Sequence, residues 1–180
     1  MSEDFSLIYE PQNEYTEIGY HATLNVYKDD IIEKGFKLSH DEDDWLGEGV
    51  YFWDDIRNAQ WWKKDNGIIP RCIFVCELKC DRSKYLDLDC KKEMEKFSLF
   101  SKQYLKEMAK ATGKKPAFKG NNQRKKFFCD IYCSKQNISI LSFTFEHDFF
   151  NVAGFKEGTL KRRQICVKEP NCISIVSVKE

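Results

Sequence analysis

The stretch Cys72 to Cys80 constrains the fold more than any other part of this chain. Ile73, Val75 and their neighbours suit a pleated sheet, so the run predicts a strand, and a strand needs partners. Five more stretches read the same way: Ile18 to Thr23, Val50 to Trp53, Ile138 to Phe145, Arg162 to Lys168 and Cys172 to Val178. Helical signals lie between them. Lys91 to Ala111 and Asn121 to Lys135 carry apolar residues three and four apart (Met94, Phe97, Phe100, Tyr104, Leu105, Met108; Phe127, Phe128, Ile131), which predicts two helices with a face against the sheet. Thr112 to Pro116 separates them.

Two shorter helices are predicted. One, capped by Asn25 or Asp29, runs to about Lys34 with Ile31 and Ile32 inward and stops at Gly35, after which Phe36 re-enters the core. The other, capped by Asp54 or Asp55, carries Ile56, Ala59, Trp61 and Trp62 and ends at Asn66-Gly67. The sum is an α+β fold, a split, mostly antiparallel sheet with packed helices. A length of 180 residues favours one domain, read as residues 18 to 180 behind an N-terminal arm of residues 1 to 17.

Composition narrows the class. Hydrophobic residues make up 42% of the chain, enough for a packed core, and no apolar run is long enough to span a membrane. Met1-Ser2-Glu3-Asp4 lacks the start of a signal peptide, so a cytoplasmic protein is expected. The chain has eight cysteines but no C-x-x-C pair, and with three histidines no metal-ligand cluster assembles, so buried reduced thiols and no metal are expected. The 29 basic and 29 acidic residues cancel, so only their placement is informative. Lys110, Lys114, Lys115, Lys119, Arg124, Lys125 and Lys126 form a stretch without an acidic residue, whereas Asp41 to Asp44 is a run of four carboxylates within Ser39 to Trp45, a stretch without periodicity that reads as a solvated loop.

Three segments carry chemistry: Tyr20-His21-Ala22-Thr23, Gly47-Glu48-Gly49-Val50-Tyr51-Phe52 and Arg163-Gln164-Ile165-Cys166-Val167. A histidine, a tyrosine and a glutamine, each on or beside an apolar strand-like stretch, are the parts of a site that holds a dinucleotide by its sugars. The paired glycines mark a close approach of backbone to something. In this order the segments resemble the His-Tyr-Glu branch of the ADP-ribosyltransferases, the poly-ADP-ribose polymerase and diphtheria-toxin-like enzymes, with Gln164 where that family usually has glutamate.

The resemblance implies NAD as co-substrate and His21, Tyr51 and Gln164 as the catalytic set. His21 would bond the adenosine ribose, the backbone of Ala22 the nicotinamide amide, and Tyr51 and Trp62 would sandwich the nicotinamide ring. Thr23, Gly49 and Ala59 complete the expected cofactor side, with Ala59 and Ala22 departing from the family's usual hydroxyl residue and glycine. Glu157 is a surrogate carboxylate, and the loop Gly154 to Leu160 with Lys161, Arg162 and Arg163 is expected to face the acceptor.

Three functions follow from the resemblance. The leading one is a mono-ADP-ribosyltransferase acting on a macromolecule, similar to toxin or phage-defence enzymes and controlled by a partner such as an antitoxin. Nucleic acid is slightly favoured as acceptor, through the 110–126 basic stretch, with Phe118, Phe127 or Trp61 to stack on bases. The second is a catalytically silent module of the same fold that binds NAD, ADP-ribose or RNA, favoured by Gln164, Ala22 and Ala59. The third, the phosphotransferase branch of that fold, expects an arginine cluster that the sequence lacks.

Overall fold

The computed structural model describes residues 13–42, 44–65, 71–114, 116–148, 151–152, 155–156 and 159–180, with side chains omitted for 62–65, 147–148, 151–152, 155–156 and 159–160. The chain is α+β. Seven strands form one sheet in the order β4-β5-β8-β2-β1-β3-β9. These are β1 (Glu14–Leu24), β2 (Val50–Trp53), β3 (Arg71–Asp81), β4 (Tyr85–Asp87), β5 (Ile140–Asp148), β8 (Thr159–Val167) and β9 (Ile173–Lys179). A two-stranded ribbon, β6 (Asn151–Val152) and β7 (Phe155–Lys156), lies between β5 and β8 in sequence. All pairings are antiparallel except that of β4 with β5.

The helices are α1 (Lys28–Lys34), α2 (Ile56–Asp65), α3 (Lys91–Thr112) and α4 (Asn121–Gln136). Local chemistry sets their ends. Gly35, at φ 79°, stops α1 and donates its N–H to the Ile31 carbonyl at 2.9 Å. Asp55 caps α2 by accepting the Arg57 N–H at 2.8 Å. Neither Asn25 nor Asp29 caps α1; Tyr27 stands there without a side-chain bond, and Asp29 and Asp30 favour the helix through its dipole instead. Ile31 packs inward, but Ile32 is exposed, because a helix this short offers the sheet only a narrow stripe.

The sheet is one body rather than two, joined at a single point. β3 pairs with β1 along its full eleven residues and β8 pairs with β2 over four, whereas β1 meets β2 only at Tyr20↔Trp53. The expected split is therefore a pinch. β1 also begins at Glu14 and not Ile18, so residues 14 to 17 belong to the sheet and not to an arm; residues 1 to 12 lie outside the described part. Tyr15 explains the extra length, since its ring stacks on Tyr85 of β4 at 3.7 Å and ties the strand across the sheet.

Three apolar clusters fill the structure. One face of the sheet carries Val50, Phe52, Cys72, Phe74, Cys76, Leu78, Ile140, Ile165 and Val167, with Phe36 packed on them. On the other face, α3 and α4 cover Leu86, Leu141, Phe145 and Cys166, and the smaller cluster Trp53, Ala59 and Ile73 seats α2. Cys72, Cys76 and Cys80 share one face because residues four apart in a strand point the same way. All eight cysteines are free thiols and six are buried, but Cys90 is exposed ahead of α3. Among the described residues no helix is long and apolar enough to cross a membrane.

Candidate functional site

Beyond the Tyr20↔Trp53 pair the strands part. β8 keeps its hold on β2, while β1 stays with β3, so the edge of β1 at residues 21 to 24 has no strand on the β2 side. Strand backbone groups point alternately to either neighbour, so part of this edge presents N–H and C=O groups to the gap. The gap opens into a cleft of about 610 Å³ lined by His21, Ala22, Tyr51, Trp53 and Gln164 from the strands and by Gly49 just ahead of β2. Lys37, Ser39, Asp41, Asp44 and Trp45 line it from the loop before β2, and Asn122 from the start of α4. Its size is typical of a small-molecule site.

His21 is positioned through its ring. Nδ1 lies 2.8 Å from the Tyr51 carbonyl, which can only accept, so Nδ1 carries the proton and Nε2 is left as an acceptor. Phe36 and Phe52 stand against the imidazole at 5.2 and 5.7 Å between ring centres. Burial among them lowers the histidine pKa from its ordinary value, opposed by the bond to Tyr51, so the ring is neutral at pH 7.

Tyr51 is held by the opposite end of its side chain. The hydroxyl accepts from the Leu46 N–H at 3.0 Å and donates to the Gly47 carbonyl at 2.7 Å, so the ring forms a wall of the cleft and the hydroxyl fastens the preceding loop. Burial raises the phenol pKa, which keeps it protonated as a donor.

The loop is fastened at almost every backbone group. Lys168 donates to the Leu46 carbonyl (2.8 Å), the Glu48 carbonyl (2.7 Å) and Asp130 Oδ1 (2.8 Å), using all three of its protons. Asp130 Oδ1 also accepts the Glu48 N–H at 2.8 Å. These contacts identify what the glycines approach. A Cβ at Gly47, whose φ is 89°, would lie 2.1 Å from Asp130 Oδ1, and one at Gly49 would lie 2.4 Å from Cys166 Sγ. Gly47 thus makes room for the protein's own clamp and Gly49 for the neighbouring strand β8. Gly49 contributes its surface to the cleft, but its N–H and C=O are both bonded to Ser39.

Gln164 pairs with Trp53 on one side and Phe143 on the other, which places it on the same face as Tyr51, two residues along the neighbouring strand. Such diagonal neighbours stand about 7 to 8 Å apart. Its amide has no hydrogen-bond partner among the described residues. His21, Tyr51 and Gln164 therefore converge on one cleft, with Ala22 beside them.

Other expected site residues are placed elsewhere. Ala59 is fully buried under Trp53 and Ile73, where a small residue lets α2 lie close to the sheet, and it does not reach the cleft. Thr23 pairs with Cys72 and is not among the lining residues. The Trp62 side chain and Glu157 lie outside the described residues, as does part of the loop 154–160.

The acceptor-side cations are engaged by the protein. Arg163 pairs with Glu17 and donates to Tyr85 Oη (2.7 Å) and Ser142 Oγ (3.1 Å) on the face of the sheet opposite to Gln164. Arg162 is buried, with its guanidinium 3.5 Å from the Trp61 ring centre, and exposed Lys161 pairs with Glu146 at 3.4 Å. Strand alternation sends neighbouring arginines to opposite faces, so the run does not act as one patch. Phe118 and Phe127 are likewise spent on each other, on Phe128 and, for Phe127, on Tyr104. In the basic stretch Lys126 bonds the Asp41 carbonyl and Lys125 lies over Trp45, while Lys110, Lys114, Lys119 and Arg124 are exposed.

Residues 39 to 45 are not simply the solvated loop their composition predicts, since Ser39, Asp41, Asp44 and Trp45 line the cleft. Trp45 inside an acidic run was the available signal; its ring packs on Phe145 at 4.4 Å. Lys37, Asn122 and the Lys168–Asp130 clamp gave none. No group of three or more His, Cys, Asp or Glu side chains among the described residues is arranged to hold a metal. Compared with family models, curated proteins and solved structures, the chain matches none of them.

Proposed function

We propose that the protein is a mono-ADP-ribosyltransferase that cleaves NAD and passes ADP-ribose to a macromolecule. The observation that carries this reading is the convergence of His21, Tyr51 and Gln164, from three segments far apart in sequence, on one cleft where β1 and β2 separate. Each has a chemical task there. The open edge of β1 at Ala22 suits the nicotinamide carboxamide, the Tyr51 ring suits the nicotinamide face, and neutral His21 offers Nε2 to a ribose hydroxyl. In the reaction the bond from ribose C1′ to the nicotinamide nitrogen breaks and its electron pair leaves with the ring, which becomes neutral. The oxocarbenium-like centre then takes a lone pair from the acceptor, which loses its proton.

Gln164 is suited to accept a bond from the ribose 2′-hydroxyl and brings no charge, which fits single transfer better than chain elongation. The exposed lysines at 110, 114 and 119 with Arg124 remain a route to a phosphate backbone, so nucleic acid stays the favoured acceptor, with an antitoxin-like protein as regulator. A second reading, a silent binding module, rests on the same uncharged Gln164.

The decisive experiment incubates the protein with labelled NAD and separate pools of protein, RNA and DNA. Label is expected in one pool and is expected to vanish in His21→Ala and Tyr51→Ala. Tight NAD binding with no labelled pool would replace the enzyme reading with the module. Gln164→Glu is expected to keep or raise NAD cleavage; complete loss in a folded variant would contradict the role assigned to Gln164.

A further inference from the structure

The cleft proposed to take NAD must meet positive charge twice, on the nicotinamide ring before cleavage and on the ribose after it, and Gln164 supplies none to oppose it. We infer that the Asp44 carboxylate is the cation-facing group of this cleft and does for it what a strand-borne carboxylate at position 164 would otherwise do. The inference rests on the NAD reading above.

Four observations carry it. Asp44 lines the same cleft as Tyr51 and Gln164. Its Oδ2 is buried and has no hydrogen-bond partner, although a carboxylate oxygen in that position is costly unless something meets it. The residue is held in place through its backbone, its N–H donating to the Asp41 carbonyl at 3.3 Å and its own carbonyl accepting the Gly47 N–H at 2.9 Å within the clamped loop. The nearby cations are committed elsewhere: Lys126 to the Asp41 carbonyl at 2.7 Å, and Lys37 to Asp30 at 2.9 Å. A ligand cation is thus the missing partner.

The neighbouring carboxylates do not compete for the role. Asp41 also lines the cleft but is exposed to water, which screens its charge, and Glu48 turns outward to His40 at 3.1 Å. Burial is also the main cause that pushes the Asp44 carboxyl above the usual carboxylate range, against the pull of its hydrogen bonds and of Lys126. A bound cation would reverse that penalty, which means that binding and ionisation of Asp44 support each other.

NAD and NADH test this directly, because they differ in the charge of the nicotinamide ring. Binding of each is followed by stopped-flow tryptophan fluorescence before turnover, Trp45 and Trp53 being in the cleft wall. The native chain is expected to prefer NAD by about tenfold, a modest effect for unit charges a few ångströms apart near a protein surface. Asp44→Asn, which keeps shape and hydrogen bonding, is expected to abolish the preference, and Asp44→Ser provides a second variant should the first fail to fold. Glu42→Gln, in the same acidic run but exposed and outside the cleft lining, is expected to keep it. A preference that survives in both Asp44 variants, or equal binding of NAD and NADH by the native chain, overturns the inference and leaves the NAD reading standing. Binding of neither dinucleotide removes both.

Discussion

The two ends of the β1–β2 junction are built from the same strands and behave in opposite ways. On the N-terminal side of Tyr20, where β2 has ended, Tyr15 stacks on Tyr85 and Glu17 pairs with Arg163, so the gap is bridged. On the C-terminal side β1 and β2 diverge with one bond between them at the site, from His21 to the Tyr51 carbonyl, and the gap stays open as a cleft. Tyr15, Glu17 and His21 alternate along one face of one strand. The difference lies in what faces them: at one end an arginine satisfied by a carboxylate and two hydroxyls, at the other an open cleft. Stability is concentrated at the closed end so that the open end can remain unfilled.

Breaking the closed end should have the largest effect. Arg163→Ala leaves half-buried Glu17 without its cation and bonded only by the Tyr15 hydroxyl, and is expected to cost about 3 kcal/mol in urea unfolding. Dinucleotide affinity of the folded protein should stay within about twofold, since the sites share no partner. A large loss of affinity with stability intact would mean that Arg163 belongs to the open end.

Next is the clamp beneath the cleft. Lys168→Ala removes three hydrogen bonds to the 46–48 loop and to Asp130, and is expected to cost about 2 kcal/mol and to weaken NAD binding as well. Affinity that is unchanged would show that the cleft does not need a fastened loop. Tyr51→Phe keeps the ring and loses only the bonds to Leu46 and Gly47, so about 1 kcal/mol is expected, with the NAD Kd raised less than in Lys168→Ala.

The smallest effect concerns acid. His21 has a native pKa below its unfolded value, so the unfolded chain binds the extra proton first as pH falls. Its contribution to stability is complete above about pH 6.5, declines as pH drops toward the lower native pKa, and is constant below it. His21→Gln should therefore show a shallower loss of stability than the native chain between pH 7.5 and 5 in urea melts; an identical slope would mean that the native ring is not held neutral.

Much of this was legible in sequence where the signal is local. Val50 to Trp53 reads as a strand from four residues, and α3 and α4 from the spacing of their aromatic faces, because both depend on nearest-neighbour geometry. His21, Tyr51 and Gln164 were legible as a set through their order. Glu14 to Glu17 looked like a polar arm because the partners that make it a strand, Tyr85 and Arg163, lie far along the chain. Ala59 looked like a site residue for the converse reason, that helical spacing alone does not say which small residue faces the sheet.

The amino-acid sequence by itself determined the α+β class and most of the strands and helices, set by periodicity and residue type over short distances, whereas the short strands β4, β6 and β7 left no such signal. Only the tertiary structure decided that Gly47 yields to Lys168 and Asp130 and Gly49 to Cys166, that Arg162 and Arg163 serve the fold, and that Asp44 enters the cleft. Those outcomes depend on contacts between residues 80 or more positions apart and on which face a strand residue turns, and these are fixed only when the sheet closes around its single joint at Tyr20 and Trp53.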